Sequence, residues 1–373
     1  MYLSLRELRH SKARYALIMV IMLLVSFLVL FVTGLAKGLA YANTSAIENM
    51  SANHYVVQGD ADHKFRRSQL TESNLQDVRS IVGKDHATPL SLQMSTVTAI
   101  DHDAKVDATF FAVDMTSQLA PSVVEGTAIT NETQGSVIVD RKLEESGIKI
   151  GSTISDQQTG MTWTVAGYVE DNSYSHTPVI YMNNQEWMAM NHQVGSADEN
   201  TVQTSTFNVI ALHVSEDQAT LLQSKLDNMD VITQKEAISS IPGYAEEQGS
   251  LLMMTVFLFL ISGVVLAVFF YVITIQKTSQ FGILKAMGTK TSYLARSVVG
   301  QVLILSVGSL VISLVLTVGM SMVLPESMPF RLNTSTMILT SCLFVGMSVI
   351  GSLISVIKVA KVDALEAIGR VGA

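Results

Sequence analysis

The stretch LLMMTVFLFLISGVVLAVFFYVITI, from Leu251 to Ile275, decides the fold because it contains no charged residue. A helix needs about 20 apolar residues to cross a bilayer core about 30 Å thick, so this stretch predicts a membrane span. Three more uncharged stretches meet the same requirement: Ala16 to Ala36, Ser297 to Leu324, and Leu332 to Ile357. The sequence therefore predicts an integral membrane protein with four transmembrane helices.

The composition agrees with a membrane protein. Of the 373 residues, 48% are hydrophobic and only 15% are charged, whereas soluble domains carry about 25% charged residues. The 19 methionines either fill apolar contacts or supply soft ligands. The single cysteine, Cys342, cannot form an internal disulfide, and zinc fingers and iron–sulfur clusters need more sulfur than this.

A mixed, polar segment of residues 37–250 separates the first span from the second, and it is long enough to bury a core of its own. It combines β-rich runs (Tyr55 to Val57, Thr162 to Val165, Val179 to Tyr181) with a helical pattern from Glu216 to Leu226. We therefore expect one large α+β domain outside the membrane. The stretch Gly167 to His176 either binds a metal or polar ligand or is a solvated loop, since it lacks His-x-x-x-His spacing and a cysteine.

Enzyme motifs are absent from the sequence. Neither the G-x-S-x-G motif of hydrolases nor the H-E-x-x-H motif of metalloproteases occurs. We expect no catalytic residues, no resident metal or cofactor and no nucleic-acid partner.

The orientation follows from the short segments outside the spans, because lysine and arginine accumulate on the cytoplasmic side. The N-terminus, the second-to-third connection and the tail together hold 11 basic and 3 acidic residues, while the whole chain has a net charge of −8. We therefore expect both termini inside and the large domain outside. The expected segments are a cytoplasmic amphipathic N-terminus (1–15), the first span (16–36), the extracellular domain (37–250), the second span (251–275), a cytoplasmic coupling segment (276–296), the third span (297–324), an outer turn (325–331), the fourth span (332–357) and a cytoplasmic tail (358–373).

The first span has an alternative interpretation as a cleaved signal peptide, because Ala40-Tyr41-Ala42 resembles a cleavage site. Its apolar run is longer than the 7 to 15 residues usual in signal peptides. We expect an uncleaved anchor.

The connection between the second and third spans, Gln276 to Lys290, contains a pattern typical of a short helix. Ile283, Leu284 and Met287 share one face, and Gly288 can end the helix. A cytoplasmic helix with an apolar face and basic flanks lies on the membrane or docks into a partner's groove.

The stretch FFYVITIQKTSQFGILKAMGTKT, residues 269–291, resembles the cytoplasmic loop of the FtsX-like permeases of MacB-type ABC transporters. The resemblance covers the whole chain, although Ala364 follows Asp363 in the tail where the family commonly has proline. It implies a coupling helix that docks on a separate ATPase subunit, present in two copies, and a homodimer of the permease in a bacterial cell membrane. The docking residues would be Phe281, Ile283, Leu284, Lys285 and Met287.

The chain has no G-x-x-x-x-G-K-[ST] motif: Asp85 follows Gly83-Lys84, and Gly288-Thr289-Lys290 has the wrong order. We therefore expect the partner subunit to bind ATP and Mg²⁺.

Several short segments resemble the haem efflux permeases of Gram-positive bacteria. They are LRELRHSKARY near the N-terminus, VTGLAKGLA at the exit of the first span, Tyr55 to Gln58, the Tyr174-x-His176 pair, Tyr244 to Gln248, and Met328-Pro329-Phe330. This resemblance implies that haem is collected in the outer half of the membrane and expelled when the ATPases close.

Haem iron accepts methionine, histidine, tyrosine and carboxylate ligands, and suitable groups occur near the second span. The expected haem-binding candidates are Tyr244, Glu246, Glu247, Met253 and Met254, with Glu48 and Met50 beyond the first span. The alternative is that the acids are solvated and the methionines contact lipid. Other cargo (an antimicrobial peptide, lipid or lipoprotein) and a cargo-free mechanical transducer like FtsX also remain open.

Overall fold

A computed structural model describes residues 12–100, 105–194, 206–325 and 328–360. Most of the expected N-terminal segment, two residues of the expected outer turn and the tail after residue 360 lie outside the described residues. The described chain forms two compact units. The membrane unit consists of residues before 39 and after 248, and the outer domain consists of Leu39–Gln248.

The outer domain contains both helices and strands, whereas the described part of the membrane unit contains helices alone. In chain order the helices are α1 (Lys12–Glu48), α2 (Glu72–Val82), α3 (Lys142–Glu145), α4 (Asn184–Val194), α5 (Glu216–Lys225), α6 (Gln234–Ser239), α7 (Tyr244–Gln276), α8 (Thr278–Ala286), α9 (Thr291–Ser321) and α10 (Thr334–Ala360). The strands are β1 (His54–Gln58), β2 (Leu70–Thr71), β3 (Ala87–Ala99), β4 (Lys105–Val113), β5 (Glu125–Gly126), β6 (Ser136–Asp140), β7 (Thr153–Asp156), β8 (Thr162–Val169), β9 (Ser173–Tyr174), β10 (Thr177–Asn183), β11 (Thr206–Phe207), β12 (Val209–Leu212) and β13 (Met229–Thr233).

Four helices of the membrane unit, α1, α7, α9 and α10, are long and apolar enough to cross a membrane. The prediction of four apolar helices, with an α+β domain inserted in the chain between the first and the second, is confirmed. All four helices extend beyond the predicted spans at one end or both, and the longest extensions are those of α1, which continues to Glu48, and α7, which begins at Tyr244. The positions of the membrane borders along the helices stay predictions.

The four long helices share one apolar core. It includes Met22 from α1, Phe270 from α7, Leu305 from α9 and Phe344 from α10. Small polar side chains allow close approach elsewhere, as where the Oγ atoms of Ser26 and Ser313 lie 2.5 Å apart between α1 and α9. Such contacts are typical of membrane helices, where small residues let backbones approach and hydroxyls bond across the interface.

The segment before α10 packs closely against two glycines of α1. A Cβ on Gly38 would lie 2.1 Å from the carbonyl oxygen of Pro329, and one on Gly34 would lie 2.5 Å from the ring of Phe330. The amide of Arg331 also donates to the carbonyl of Gly34 at 3.1 Å. Any side chain at either glycine would therefore displace this segment.

The outer domain is built on one large sheet with strand order β13-β1-β12-β3-β4-β10-β6-β8-β5. The long strand β3 links two parts of it. At one end, β1 is antiparallel to both β12 and β13. Its residues alternate between two cores, because Val56 packs with α2 and α5 while Tyr55 and Val57 face the larger core on the other side.

The other part of the sheet closes into a barrel. Strand β7 pairs with both β3 and β8, so β3, β4, β10, β6, β8 and β7 form a complete ring. The barrel interior takes one or more buried side chains from every strand: Val97, Phe110, Ile180, Val139, Trp163 and Ile154. The indole of Trp163 donates to Glu186 Oε2 at 2.7 Å, which satisfies its polar atom inside this core.

Candidate functional site

The last turns of α1 belong to the outer domain and bury polar side chains there. Asn43, Thr44 and Ser45 are all buried, next to the apolar residues Ala46 and Ile47. Buried polar groups in proteins almost always have hydrogen-bond partners. Asn43 and Ser45 have partners in the connection between β8 and β10, whereas Thr44 donates to Ala40 and Glu48 within α1.

That connection has an unusual backbone. Asp171, Ser175 and His176 have φ values of 55°, 52° and 64°, in the left-handed region that non-glycine residues seldom adopt. Three hydrogen bonds join the connection to α1 and to Asn49, the residue after it. Ser173 N donates to Ser45 Oγ (2.8 Å), Ser175 N donates to the Asn43 carbonyl (2.9 Å), and Asn49 Nδ2 donates to the Asp171 carbonyl (2.7 Å). Such strain persists only where surrounding contacts determine it, and it concentrates at functional sites.

The result is a cluster of Asn43, His176 and Glu247, which we call the polar junction. Glu247 Oε2 accepts from Asn43 Nδ2 at 3.0 Å and from His176 Nε2 at 2.9 Å. Asn43 Nδ2 also lies 3.0 Å from His176 Nε2. In the tautomer that carries its hydrogen on Nε2, His176 donates to the Glu247 carboxylate, which only accepts. The Glu247 side chain is 20% exposed and that of His176 is 40% exposed. The junction therefore joins the end of α1, the strained connection and the start of α7 at the domain surface.

Three polar atoms at or beside the polar junction are buried without a hydrogen-bond partner in the described part of the chain. They are Glu247 Oε1, Asn43 Oδ1 and Gln248 Nε2. A buried polar atom without a partner costs about 1–3 kcal/mol. A ligand or a rearrangement that satisfies these atoms would therefore be favoured.

Tyr174, the other member of the Tyr174-x-His176 pair, faces the opposite way. It is buried, and its ring packs edge-on against Phe111 with centroids 5.8 Å apart. Burial raises the pKa of the Tyr174 hydroxyl well above its usual range. Since iron binds tyrosine as the phenolate, His176 is the member of this pair suited to ligand binding.

Glu246 and Glu247, expected to act together, face different surroundings. Glu247 lies in the polar junction, whereas Glu246 lines a cleft of about 780 Å³. The cleft is also lined by the basic residues Lys64, Arg66 and Arg67 and by the acidic residues Asp62 and Glu236. Consecutive residues on a helix are about 100° apart around its axis, which separates the two carboxylates.

The remaining haem candidates are dispersed. Tyr244 and Met50 are half-buried and both pack against the larger core of the outer domain. Glu48 is exposed and accepts from Thr44 Oγ1 at 2.5 Å. Met253 and Met254 are exposed on α7 within the membrane unit. Of the seven candidates, the structure brings Glu247 alone into the polar junction.

The predicted coupling helix is α8, with Met287 as its C-cap and Gly288 following at φ 88°. Phe281 is only 4% exposed and packs against Leu294 and Val298, so its side chain is not on the surface expected to meet the ATPase. Ile283 and Met287 are 44% and 69% exposed. Phe281 therefore packs α8 against α9, and the exposed face of α8 contains Ile283 and Met287. Docking of the ATPase on this helix stays a prediction.

The half-buried Leu284 and Lys285 lie beside that exposed face. Leu284 also packs against the cluster of Phe281, Leu294 and Val298, so only part of its side chain is available to a partner.

The described residues contain no group of three or more His, Cys, Asp or Glu side chains suited to holding a metal ion.

Sequence reasoning missed Asn43 and the contact between His176 and Glu247. These two residues are 71 positions apart, and no local motif connects them. The signals present in the sequence were the Tyr174-x-His176 pair and the polar run at Asn43 to Ser45, which follows directly on an apolar helix.

Comparisons with known proteins agree with this architecture. Residues 252–364 match the family model described as the FtsX-like permease C-terminal domain. A permease named for hemin transport, HrtB of Staphylococcus haemolyticus, is 32% identical over 369 residues, covering 99% of both chains. A protein of the same name from Staphylococcus epidermidis is 29% identical over 372 residues, again covering 99% of both chains.

Two solved outer domains also match. The periplasmic region of MacB from Actinobacillus actinomycetemcomitans aligns with a TM-score of 0.35 at 12% identity, covering 51% of this chain and 92% of that one. The extracellular domain of the ABC-type transporter YknZ from Gram-positive bacteria aligns with a TM-score of 0.33 at 15% identity, covering 48% and 100%.

Proposed function

The chain belongs to the FtsX-like permease family of ABC transporters, and we propose that it exports haem from the cell membrane. As a family member it is a transport component with four apolar helices and an outer domain, and it works with an ATPase partner. The specific cargo, the homodimer and the arrangement of the termini belong to the proposal.

The observation that carries the haem proposal is the carboxylate of Glu247. One oxygen is held by Asn43 and His176, and the other is buried without a partner among the described residues. Carboxylate and imidazole groups both bind haem iron, and an unsatisfied oxygen favours an incoming ligand. The near full-length relatives named for hemin transport support the same cargo. In this proposal Glu247 leaves the polar junction to bind the iron, while His176 and Asn43 hold it when haem is absent.

Tyr244, Met253 and Met254 remain candidate haem contacts in this proposal. Tyr244 is one helical turn before Glu247, and residues three apart on a helix share a face. The exposed thioethers of Met253 and Met254 offer soft, apolar contacts for a macrocycle or for lipid. Glu48 and Met50 are weaker candidates, because neither lies in the polar junction nor on α7. Glu246 lines the cleft instead and is not part of the proposed haem site.

In this proposal a separate subunit hydrolyses ATP to drive transport, since the sequence has no P-loop motif. Two ATPase copies bind ATP and Mg²⁺ and contact the face of α8 that carries Ile283 and Met287. Two permeases pair in the membrane, among lipid, to enclose the cargo path. The basic segments lie in the cytoplasm and the acidic outer domain lies outside the bacterial cell.

ATP-dependent haem export from proteoliposomes that contain the permease and its ATPase tests the proposal. Glu247→Gln keeps an oxygen acceptor for Asn43 but removes the anionic ligand, so we expect export to fall by about tenfold or more. Glu246→Gln is the matched control, since it makes the same change one residue away in the cleft, and it should export normally. Equal export by both variants would overturn the role of Glu247. Absence of haem export by the unmodified complex would favour peptide or lipid cargo, or a mechanical transducer.

A further inference from the structure

Lys277 is buried in the membrane unit, although the sequence pattern placed it in a basic cytoplasmic connection. It is the N-cap residue of α8, between the end of α7 and the first turn of the coupling helix. Its relative exposure is only 7%. Burying a lysine is costly unless polar partners surround its ammonium group.

The described partners come from two other helices. Lys277 Nζ donates to Tyr15 Oη on α1 at 2.5 Å and to Gln301 Oε1 on α9 at 3.3 Å. Tyr15 Oη in turn donates to Gln301 Oε1 at 3.2 Å. Tyr15 and Gln301 are 5% and 7% exposed. We call these three residues the Lys277 triad.

The Tyr15 ring adds a second contact, because Lys277 Nζ lies 5.2 Å from its centroid. A cation near an aromatic face is attracted by the ring quadrupole, most strongly where water is excluded. The triad therefore holds the start of α8 to α1 by two kinds of interaction. Apolar residues of similar size would pack at least as well, so a buried charged group here favours a role in fixing relative position.

We propose that Lys277 is the positioning residue that makes α1 follow α8 when the ATPases move the coupling helix. Lys277 lies one residue before α8, and the exposed face of α8 lies within the next ten residues. Phe281 ties α8 to α9 through Leu294, whereas Lys277 ties the start of α8 to Tyr15 on α1 as well as to Gln301 on α9. Displacement of α8 alone would break the buried hydrogen bonds of the triad, so motion of α1 with α8 is favoured.

This inference rests on membership of the ABC permease family and not on haem as cargo. Its test therefore measures motion between α1 and α8 and needs no cargo. Spin labels are placed at Ala16→Cys on α1 and Ser279→Cys on α8, both exposed positions, in a Cys342→Ser background that removes the single cysteine. Double electron–electron resonance measures the distance between the two labels in the permease–ATPase complex. The measurement is made once with ADP bound and once with a non-hydrolysable ATP analogue bound.

In the parent complex α1 and α8 should move together, so the label separation stays the same in the two nucleotide states. In Lys277→Met, α8 should move without α1, so the separation shifts between ADP and the ATP analogue. Tyr15→Phe, which keeps the ring and removes the hydroxyl, should give a smaller shift in the same direction. Lys290→Met is the matched control, because it removes an exposed lysine at the other end of the connection, and it should behave as the parent. Lys277→Arg should restore the parent behaviour.

A second readout tests the functional consequence. Once haem export has been established, Lys277→Met should lower the amount of haem exported per ATP hydrolysed by about tenfold, within the range of allosteric coupling energies. ATPase copurification should be unchanged, because the docking face is intact. Identical label separations for Lys277→Met and the parent in both nucleotide states would overturn the inference, whatever the cargo proves to be.

Discussion

Removal of the Glu247 side chain should destabilise the outer domain measurably. In Glu247→Ala, the buried Nδ2 of Asn43 loses its carboxylate acceptor, and an unsatisfied buried donor costs about 1–3 kcal/mol. The bond to His176 adds little, because His176 is 40% exposed and water screens the contact. The variant also removes the buried Oε1 of Glu247, which has no partner among the described residues, and this offsets part of the cost. The expected net loss is therefore about 1 kcal/mol. For a domain the size of Leu39–Gln248, this corresponds to a fall in Tm of about 2–4 °C.

Tryptophan fluorescence measures this unfolding in the full-length protein. The chain has two tryptophans, and both Trp163 and Trp187 are buried in the outer domain, so the signal reports that domain alone. Thermal scans in lipid nanodiscs compare Glu247→Ala with Glu246→Ala, which truncates an exposed neighbour and should shift Tm by no more than about 1–2 °C. Equal Tm shifts for Glu247→Ala and Glu246→Ala would show that the bond between Glu247 and Asn43 does not stabilise the outer domain. A double variant with Asn43→Ala should lose less than the sum of the single losses, since the two residues share one bond.

Further outcomes concern the coupling helix and the pH dependence of the outer domain. Ile283→Asp with Met287→Asp should reduce copurification of the ATPase by about tenfold or more, because both apolar side chains are exposed on α8; unchanged copurification would contradict the docking face. Phe281→Ala should instead destabilise the membrane unit by about 3–5 kcal/mol, the cost of emptying a buried aromatic site, and a stable variant in detergent unfolding would contradict that packing. Backbone and hydroxyl bonds from Thr233 hold the pKa of Glu236 below its usual range, so its carboxylate stabilises the folded state above the unfolded pKa. This stability is lost as pH falls through the lower folded pKa, and the Tm advantage of the parent over Glu236→Gln should shrink between about pH 6 and pH 3.

The large features of this fold could be predicted from the sequence because they depend on local patterns. Four uncharged runs predict the membrane helices, and short runs rich in β-branched and aromatic residues predict β1, β8 and β10. The helix at Glu216 begins after Ser215, whose side chain and that of Gln218 form a capping box. Each of these features is encoded within about twenty consecutive residues.

The barrel and the polar junction could not be predicted, since they depend on contacts distant in sequence. Closure of the ring requires β7 to pair with β3, which lies far earlier in the chain. The position of His176 depends on a left-handed backbone that a non-glycine sequence does not signal. Lys277 shows a related difficulty: its charge indicates which side of the membrane it is on but not whether it is buried.

The most direct test of the central claim is a haem titration of the purified permease with its ATPase partner, following the Soret absorption and the ATPase rate together. The account predicts a saturable Soret shift with stimulated ATP hydrolysis, both lost in Glu247→Gln and both retained in Glu246→Gln. A Soret spectrum that shows no saturable change, or the same change in both variants, would contradict haem binding at Glu247.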